Sequence, residues 1–311
     1  MPELPDVTLY VEALAARVVG QPLERVELKT PFLLRTVDPP ISAVTGREVR
    51  DVRRLGKRVV LAFDGDLFLA VHLMIAGRLH WISADEPKRG RSGAVLASFA
   101  FPRGTLTLTE AGSKRRAAIH VVRGEPALSS LDRGGVEPLA ASEDAFRDAL
   151  VRENHTLKRA LTDPRLFSGI GNAYSDEILH RAQLSPVKLT QRLDAAEIAR
   201  LREATRAVLA EWTDRLRTEA DGRFPEGVTA FRPDFAVHGR HREPCPVCGA
   251  PVQRIVHAEN ETDYCARCQT GGQILSDRSL ARLLKDDWPR TIDELERNPA
   301  LGLRPPRGAK T

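Results

Sequence analysis

Four cysteines fall within 24 residues, CPVCGAPVQRIVHAENETDYCARC, as two C-x2-C pairs, Cys245/Cys248 and Cys265/Cys268, with sixteen residues between the pairs. This spacing suits a tetrahedral zinc site. Each pair presents two thiolates from one tight turn, and the intervening segment is long enough for a hairpin that carries the second pair over the first. Val252, Ile255 and Val256 are the apolar residues available to pack inside it. Four protein ligands leave no coordination position open to water, so the expected metal is one structural Zn2+ ion, not a catalytic one. The competing use of the pairs is as two redox dithiols. No cysteine remains over, which argues against a disulfide framework.

A second chemistry is written in charge. The net charge is +5, and part of it is clustered. Arg53, Arg54, Lys57 and Arg58 form one group, and Lys114, Arg115 and Arg116 another. Such groups suit a polyanion, because each phosphate contact releases counterions. On charge alone, a solvated basic surface is the simpler reading.

The elements that must position these residues can be read from periodicity. The chain has 311 residues, 42% hydrophobic and 29% charged, enough for two or three domains with their own cores. It contains no apolar run of about 18 residues, which a membrane helix needs. The N-terminal stretch MPELPDVTLYVEALAARVVG carries acidic residues where a signal peptide carries positive charge, so a cytoplasmic protein is expected. Residues 4–19 read as a helix with Val7, Val11, Leu14 and Val18 on one face. From residue 23 to about 122 the pattern changes to short β-branched runs (LERVELKT, REVRDVRRL, RVVLAF, DLFLAVHLM, AVLASFAF, TLTLTE, AIHVV), which predicts a β-sandwich or barrel. Residues 142–217 read as helices: SEDAFRDALVREN with a Ser cap, TLKRALTDP stopped by Pro164, GNAYSDEILHRAQL, and the long DAAEIARLREATRAVLAEWTDRLR. Between the second and third lies LFSGIGNAY, a glycine-bearing turn entering a helix, a geometry that can aim backbone N–H groups at a phosphate or simply pack two helices. Residues 218–244 lack periodicity. Beyond the cysteines, DRSLARLLKDDW predicts one more helix, and the Pro-rich end LGLRPPRGAKT reads as disordered.

Three segments taken in order carry a resemblance: MPELPDV, LKRALTDPRLFSGIGNAYSDEILHRAQLSP, and HGRHREPCPVCG…CARCQ. Together they resemble the formamidopyrimidine-DNA glycosylase and endonuclease VIII family of base-excision repair enzymes, over residues 2 to about 269. The resemblance implies an α+β multidomain fold. Its parts are an N-terminal β-sandwich with an N-terminal helix (1–128), a linker (129–142), a helix-two-turn-helix domain (143–225), a loop shaping the lesion pocket (226–240), a zinc-finger hairpin (241–272) and a C-terminal extension (273–311). Double-stranded DNA with a damaged base or abasic site would be gripped between the two halves by a monomer located at the nucleoid.

The resemblance also assigns roles. Pro2 is the nucleophile once Met1 is removed. A chain-end amine has a pKa near 8, about two units below lysine, so a useful fraction is neutral near pH 7. As a secondary amine it forms an iminium directly, an electron sink that permits elimination of the 3′ phosphate. Glu3 is the general acid/base, and Asp6 is a supporting acid or a helix-terminal carboxylate. Lys57 in RRLGKRVV matches the family's β-turn lysine. Lys158 and Asn172 match its phosphate clamp, where Asn172 can also serve as a helix N-cap. A glycosylase flips its target nucleotide and fills the gap. In HLMIAGRL the wedge falls on Ile75 or its neighbour Met74, and Arg115 fits the arginine that faces the orphaned base.

Two positions depart from the pattern. The family's aromatic wedge is Ala117 here, whose methyl cannot replace stacking worth roughly 1–3 kcal/mol per base. The arginine expected five residues before the third cysteine is Asn260, which brings no charge and no bidentate fork. Arg254 or Arg267 is available to compensate, though neither stands at the motif position. Intact Pro2, Glu3, Lys57, Lys158 and Asn172 favour a bifunctional glycosylase with abasic-site lyase activity. The alternative is a non-catalytic zinc-dependent damaged-DNA-binding protein on the same scaffold.

Overall fold

The computed structural model describes residues 1–85, 95–111, 115–229, 231–257, 260–275 and 289–297. Two compact units emerge: Met1–Arg133 with Glu211–Thr229, and Gly134–Ala210 with Ala230–Thr311.

The first unit opens with helix α1, Leu4–Val18. Pro5 stands in its first turn, where the missing N–H costs nothing. Glu3 is the N-cap and Asp6 closes a capping box, the Glu3 amide donating to Asp6 Oδ2 at 2.9 Å. Val7, Tyr10, Leu14 and Val18 are fully buried. Two four-stranded antiparallel sheets follow. One has the order β1 (Arg25–Leu28), β6 (Val95–Phe101), β7 (Gly104–Glu110), β5 (Gly77–Ser83), and the other β2 (Val49–Leu55), β3 (Arg58–Phe63), β4 (Leu67–His72), β8 (Ala118–Arg123).

The nearly continuous apolar runs RVVLAF and DLFLAVHLM arise because both faces of the second sheet are covered. Side chains alternate across a strand. Val59, Leu61 and Phe63 of β3 and Leu67, Leu69 and Val71 of β4 therefore enter the main core with Leu79, Phe99, Leu106 and Leu108 of the other sheet. Val60, Phe68 and Ala70 point the opposite way and pack with Leu128 of α2, Glu125–Ser129. β5 was not among the expected strands. Its sequence GRLHWIS alternates buried and half-buried residues, the pattern of a strand with one covered face. Helix α2 likewise was not among the expected elements.

In the second unit, α3 (Glu143–Val151) is capped by Ser142, whose side chain accepts from Ala145 N. Helix α4 (Leu157–Thr162) is capped by Thr156 and ends before Pro164. It leads through a turn to α5 (Asn172–Arg181), and α6 (Ala195–Ala220), whose residues from Glu211 on belong to the first unit, runs for 26 residues. Antiparallel β9 (Gln253–His257) and β10 (Asn260–Tyr264) form the cysteine-bearing hairpin, closed by α7 (Ala266–Thr270). Val252 and Ile255 are buried there as expected, but Val256 is 46% exposed, because successive strand residues face opposite ways. A short helix absent from the sequence reading, α8 (Ile292–Glu296), packs Ile292 and Leu295 into the hairpin's core. The helix expected at 277–288 and the disordered end at 301–311 lie outside the described residues. Among the described residues no helix is long and apolar enough to cross a membrane.

Candidate active site

In the first unit the chain start is enclosed. Pro2 is buried, and Glu3 and Asp6 are each 2% exposed. The amino group of Met1, the N-terminus of the full chain, is held below its usual pKa chiefly by burial. Glu3 opposes the shift, Arg78 reinforces it, and Asp6 and Lys57 follow with smaller, opposite effects. Lys57, far along the chain, is thus near enough for its charge to act on the chain start. Lys57 occupies the two-residue turn joining β2 to β3, whose ends Leu55 and Arg58 are paired. Gly56, the first central residue, has φ +60°, which matches the glycine a type II′ hairpin turn requires.

Arg78 was not singled out by sequence. Its Nε donates to Val228 O at 2.5 Å and its Nη1 to Gly77 O at 2.7 Å and Ile75 O at 3.3 Å, so it clasps the wedge segment from below. Gly77 is obligatory: a Cβ there would meet Leu73 O at 2.2 Å. The wedge candidates separate. Ile75 is 53% exposed, whereas Met74 is half-buried with φ +52° and donates its amide to His72 Nδ1 at 3.1 Å. His72 is also new. Burial, then the charges of Arg58, Lys57 and His120, draw its pKa down to about 4.

Arg115 is exposed. Ala117 is 4% exposed and belongs to the sandwich core, so its side chain does not project from the surface. The buried Glu110 carboxylate fixes this segment by accepting from Arg116 N at 2.9 Å and Ala117 N at 3.1 Å.

In the second unit Lys158 meets Asn172 through the asparagine's backbone carbonyl, not its side chain. Lys158 Nζ donates to the Asn172 backbone carbonyl and to Asp176 Oδ1, both at 2.6 Å. The N-cap of α5 is Gly171, so Asn172 is not the cap and occupies the first helical position. Gly169, φ +79°, makes the turn before it.

The four cysteine sulfurs lie within 4.8 Å of one another. Cys248 and Cys265 Sγ are 3.4 Å apart, and Cys245 and Cys268 Sγ 3.9 Å. A tetrahedron with Zn–S bonds of about 2.3 Å has edges of about 3.8 Å, so the donors fit that ion. His180 Nε2 lies 3.3 Å from Cys245 Sγ, the kind of outer contact that orients a ligating thiolate. Asn260 opens β10 opposite His257 at the turn end of the hairpin. Neither substitute arginine is at liberty. Arg254 is paired with Glu261 and Asp263, each at 2.9 Å, and Arg267 with Asp293 and Glu296 of the α8 segment.

Sequence comparison agrees with this geometry. Residues 1–115 match the profile of the formamidopyrimidine-DNA glycosylase N-terminal domain, 135–218 its H2TH domain, and 242–271 the zinc finger found in FPG and IleRS. The formamidopyrimidine-DNA glycosylase of Heliobacterium modesticaldum is 33% identical, covering 86% of this chain and 100% of that protein. That of Thermus thermophilus is 34% identical over 88% of this chain and 100% of its own length. Among solved structures, MutM (Fpg) of Thermus thermophilus aligns with a TM-score of 0.71 at 33% identity, covering 86% of this chain and 98% of that one. Lactococcus lactis FPG in complex with a FAPY-dG containing DNA aligns at 0.75 and 26% identity, over 86% and 100%. Fold and site therefore define a DNA glycosylase of base-excision repair with a β-sandwich, a helix-two-turn-helix segment and a cysteine hairpin. The chain belongs to the formamidopyrimidine-DNA glycosylase family.

Proposed function

We propose that the protein excises oxidised bases (8-oxoguanine, formamidopyrimidine or oxidised pyrimidines) from duplex DNA and then cleaves the abasic strand, with the Pro2 amine as nucleophile. The observation that carries this reading is the buried N-terminus grouped with Glu3, Arg78 and Lys57. Once Met1 is removed, the same burial and the same cations favour a neutral Pro2 nitrogen, which has the lone pair an attack needs. The nitrogen bonds to C1′ as the glycosidic C–N bond breaks. Glu3 supplies the proton that opens the sugar ring, leaving an iminium. The departing base takes a proton from water, and the Glu3 carboxylate, having given up its own proton, takes one from C2′, whose electron pair moves toward the iminium and expels the 3′ phosphate.

Lys158 and the start of α5 hold a backbone phosphate, Ile75 enters the vacated base position, and Arg115 faces the orphaned base. Asn260, at the hairpin turn, contributes at most a neutral hydrogen bond to a flanking phosphate. The four cysteines hold one structural zinc that stiffens the hairpin. The protein acts as a monomer at the nucleoid.

Borohydride reduction on a duplex with a single abasic site traps a covalent adduct, and mass spectrometry of the digested complex places it on the peptide beginning at Pro2. No adduct from protein lacking Met1, or an adduct on a lysine-containing internal peptide, refutes the mechanism. Absence of any adduct puts the non-catalytic damaged-DNA-binding reading in its place, whereas an internal lysine adduct moves the nucleophile away from Pro2. A panel of single-lesion duplexes then ranks the substrates.

A further inference from the structure

A ladder of alternating charges runs from Lys158 to the cysteine hairpin inside the second unit. Asp176, on α5, has a fully buried carboxylate that accepts from Lys158 Nζ on Oδ1 and from His238 Nδ1, at 2.8 Å, on Oδ2. The same His238 nitrogen lies 3.9 Å from Asp263 Oδ2 of β10. Asp263 in turn accepts from Gly239 N at 2.7 Å and Arg254 Nε at 2.9 Å. The His238 ring is fixed between Phe231, stacked at 5.9 Å, and Phe235, edge-on at 6.0 Å. Glu177 anchors the same segment by accepting the amides of Ala236, Val237 and His238 at 2.7–2.9 Å.

Asp176, His238 and Asp263 are close enough to hold a cation. The chain supplies its own cations instead, since an ammonium already occupies one oxygen of Asp176 and a guanidinium one of Asp263.

We propose that Asp176 and His238 are positioning residues that aim Lys158 at a DNA phosphate and tie that contact to the hairpin. The proposal rests on the reading of Lys158 as a phosphate ligand. An ammonium has three hydrogens. Two are spent on Asn172 O and Asp176 Oδ1, so the third is left with one direction. Lys158 then delivers a directed donor in place of a swinging charge. His238 keeps the other oxygen of Asp176 occupied, which holds the carboxylate plane, and Asp263 links this arrangement to β10, the strand that begins at Asn260. Burial disfavours a charged His238, but the Asp176 hydrogen bond and the two carboxylate charges outweigh it and raise its pKa against the opposing charge of Lys158. That keeps the donor on Nδ1.

The proposal predicts the reverse of what net charge predicts. Deleting a carboxylate beside a phosphate-binding lysine tightens DNA binding if only charge matters, and weakens it if the carboxylate aims the lysine.

The test measures Kd by fluorescence anisotropy for a duplex carrying a tetrahydrofuran abasic analogue, over a salt series. It compares wild type, Asp176→Asn, Lys158→Met and the double variant, each with zinc content and Tm checked. Asp176→Asn is expected to weaken binding about tenfold. It should also flatten the log K–log salt slope by up to about 1, as Lys158→Met does. In the Lys158→Met background it should change nothing further. Unchanged or tighter binding by Asp176→Asn overturns the proposal, as does an equal loss in both backgrounds. Should Asp176→Asn lose zinc or melt early, His238→Gln is read in the same two backgrounds with the same outcomes. Lys158→Met with unaltered Kd and slope refutes the underlying phosphate reading instead, and borohydride trapping by wild type reports on the Pro2 chemistry separately.

Discussion

Removing the two apolar anchors of α8 tests whether the segment beyond the finger braces the metal module. Ile292 is 2% and Leu295 6% exposed, both packed with Val252, Ile255, Tyr264 and the cysteine side of the hairpin. The segment is also stitched on by its backbone, with Ile292 N donating to Gly272 O at 2.8 Å and Ile274 N to Arg290 O at 2.9 Å. Truncating a buried Leu or Ile to Ala costs about 2–5 kcal/mol, and the lower figure applies where a short peripheral helix can relax. Ile292→Ala/Leu295→Ala therefore removes about 4 kcal/mol of docking energy. If zinc leaves through states in which α8 has undocked, release should quicken by about a thousandfold, a factor of ten for each 1.4 kcal/mol. The assay is transfer of zinc from the intact protein to a chromophoric chelator at fixed temperature, with the melting of the sandwich followed in parallel. A release rate within twofold of wild type, with zinc bound at the start, would show that the hairpin holds its metal without the segment and refute the reasoning.

Three further outcomes are expected. Because Asn260 is uncharged and Arg254 and Arg267 are committed to carboxylates, wild type should leave mainly the β-elimination end on a cleaved abasic strand. Asn260→Arg should raise the share of 3′-phosphate ends on a denaturing gel, and an unchanged product ratio would count against a phosphate role for this position. His72 has a folded pKa of about 4 against 6.5 when unfolded, so the unfolded chain binds the extra proton first. Stability is complete above about pH 6.5 and falls as pH drops toward 4, by up to about 3 kcal/mol. His72→Asn, which retains an acceptor for Met74 N, should flatten that part of the Tm–pH curve, and parallel curves would remove His72 as the cause. Gly77→Ala forces a Cβ to 2.2 Å from Leu73 O, and should lower Tm by well over the roughly 2–4 °C that about 1 kcal/mol produces in a unit of this size. An unshifted Tm would mean that the turn adapts.

Features set by near neighbours along the chain were legible in the sequence alone. The C-x2-C pairs mark a cluster of four thiols, the short apolar runs RVVLAF and DLFLAVHLM place strands, and Ser142 and Thr156 mark helix starts because caps act over three residues. The family was legible through the order of three segments along the chain, MPELPDV, the LKRALTDP stretch and the cysteine pairs. What sequence left open turns on partners far apart in the chain. Arg254 and Arg267 looked equally free, but Asp263 and α8 claim them. Val256 counted as core until the hairpin register turned it outward. Asn172 reads as a cap, yet Gly171 takes that place and leaves its carbonyl to Lys158. Asp176 and His238 lie 62 positions apart, and no local pattern announces a buried ion ladder. Spacing encodes which side chains share a turn or a face, and that much the sequence determined alone. Which charge neutralises which depends on long-range packing and burial, and only the tertiary structure decided that.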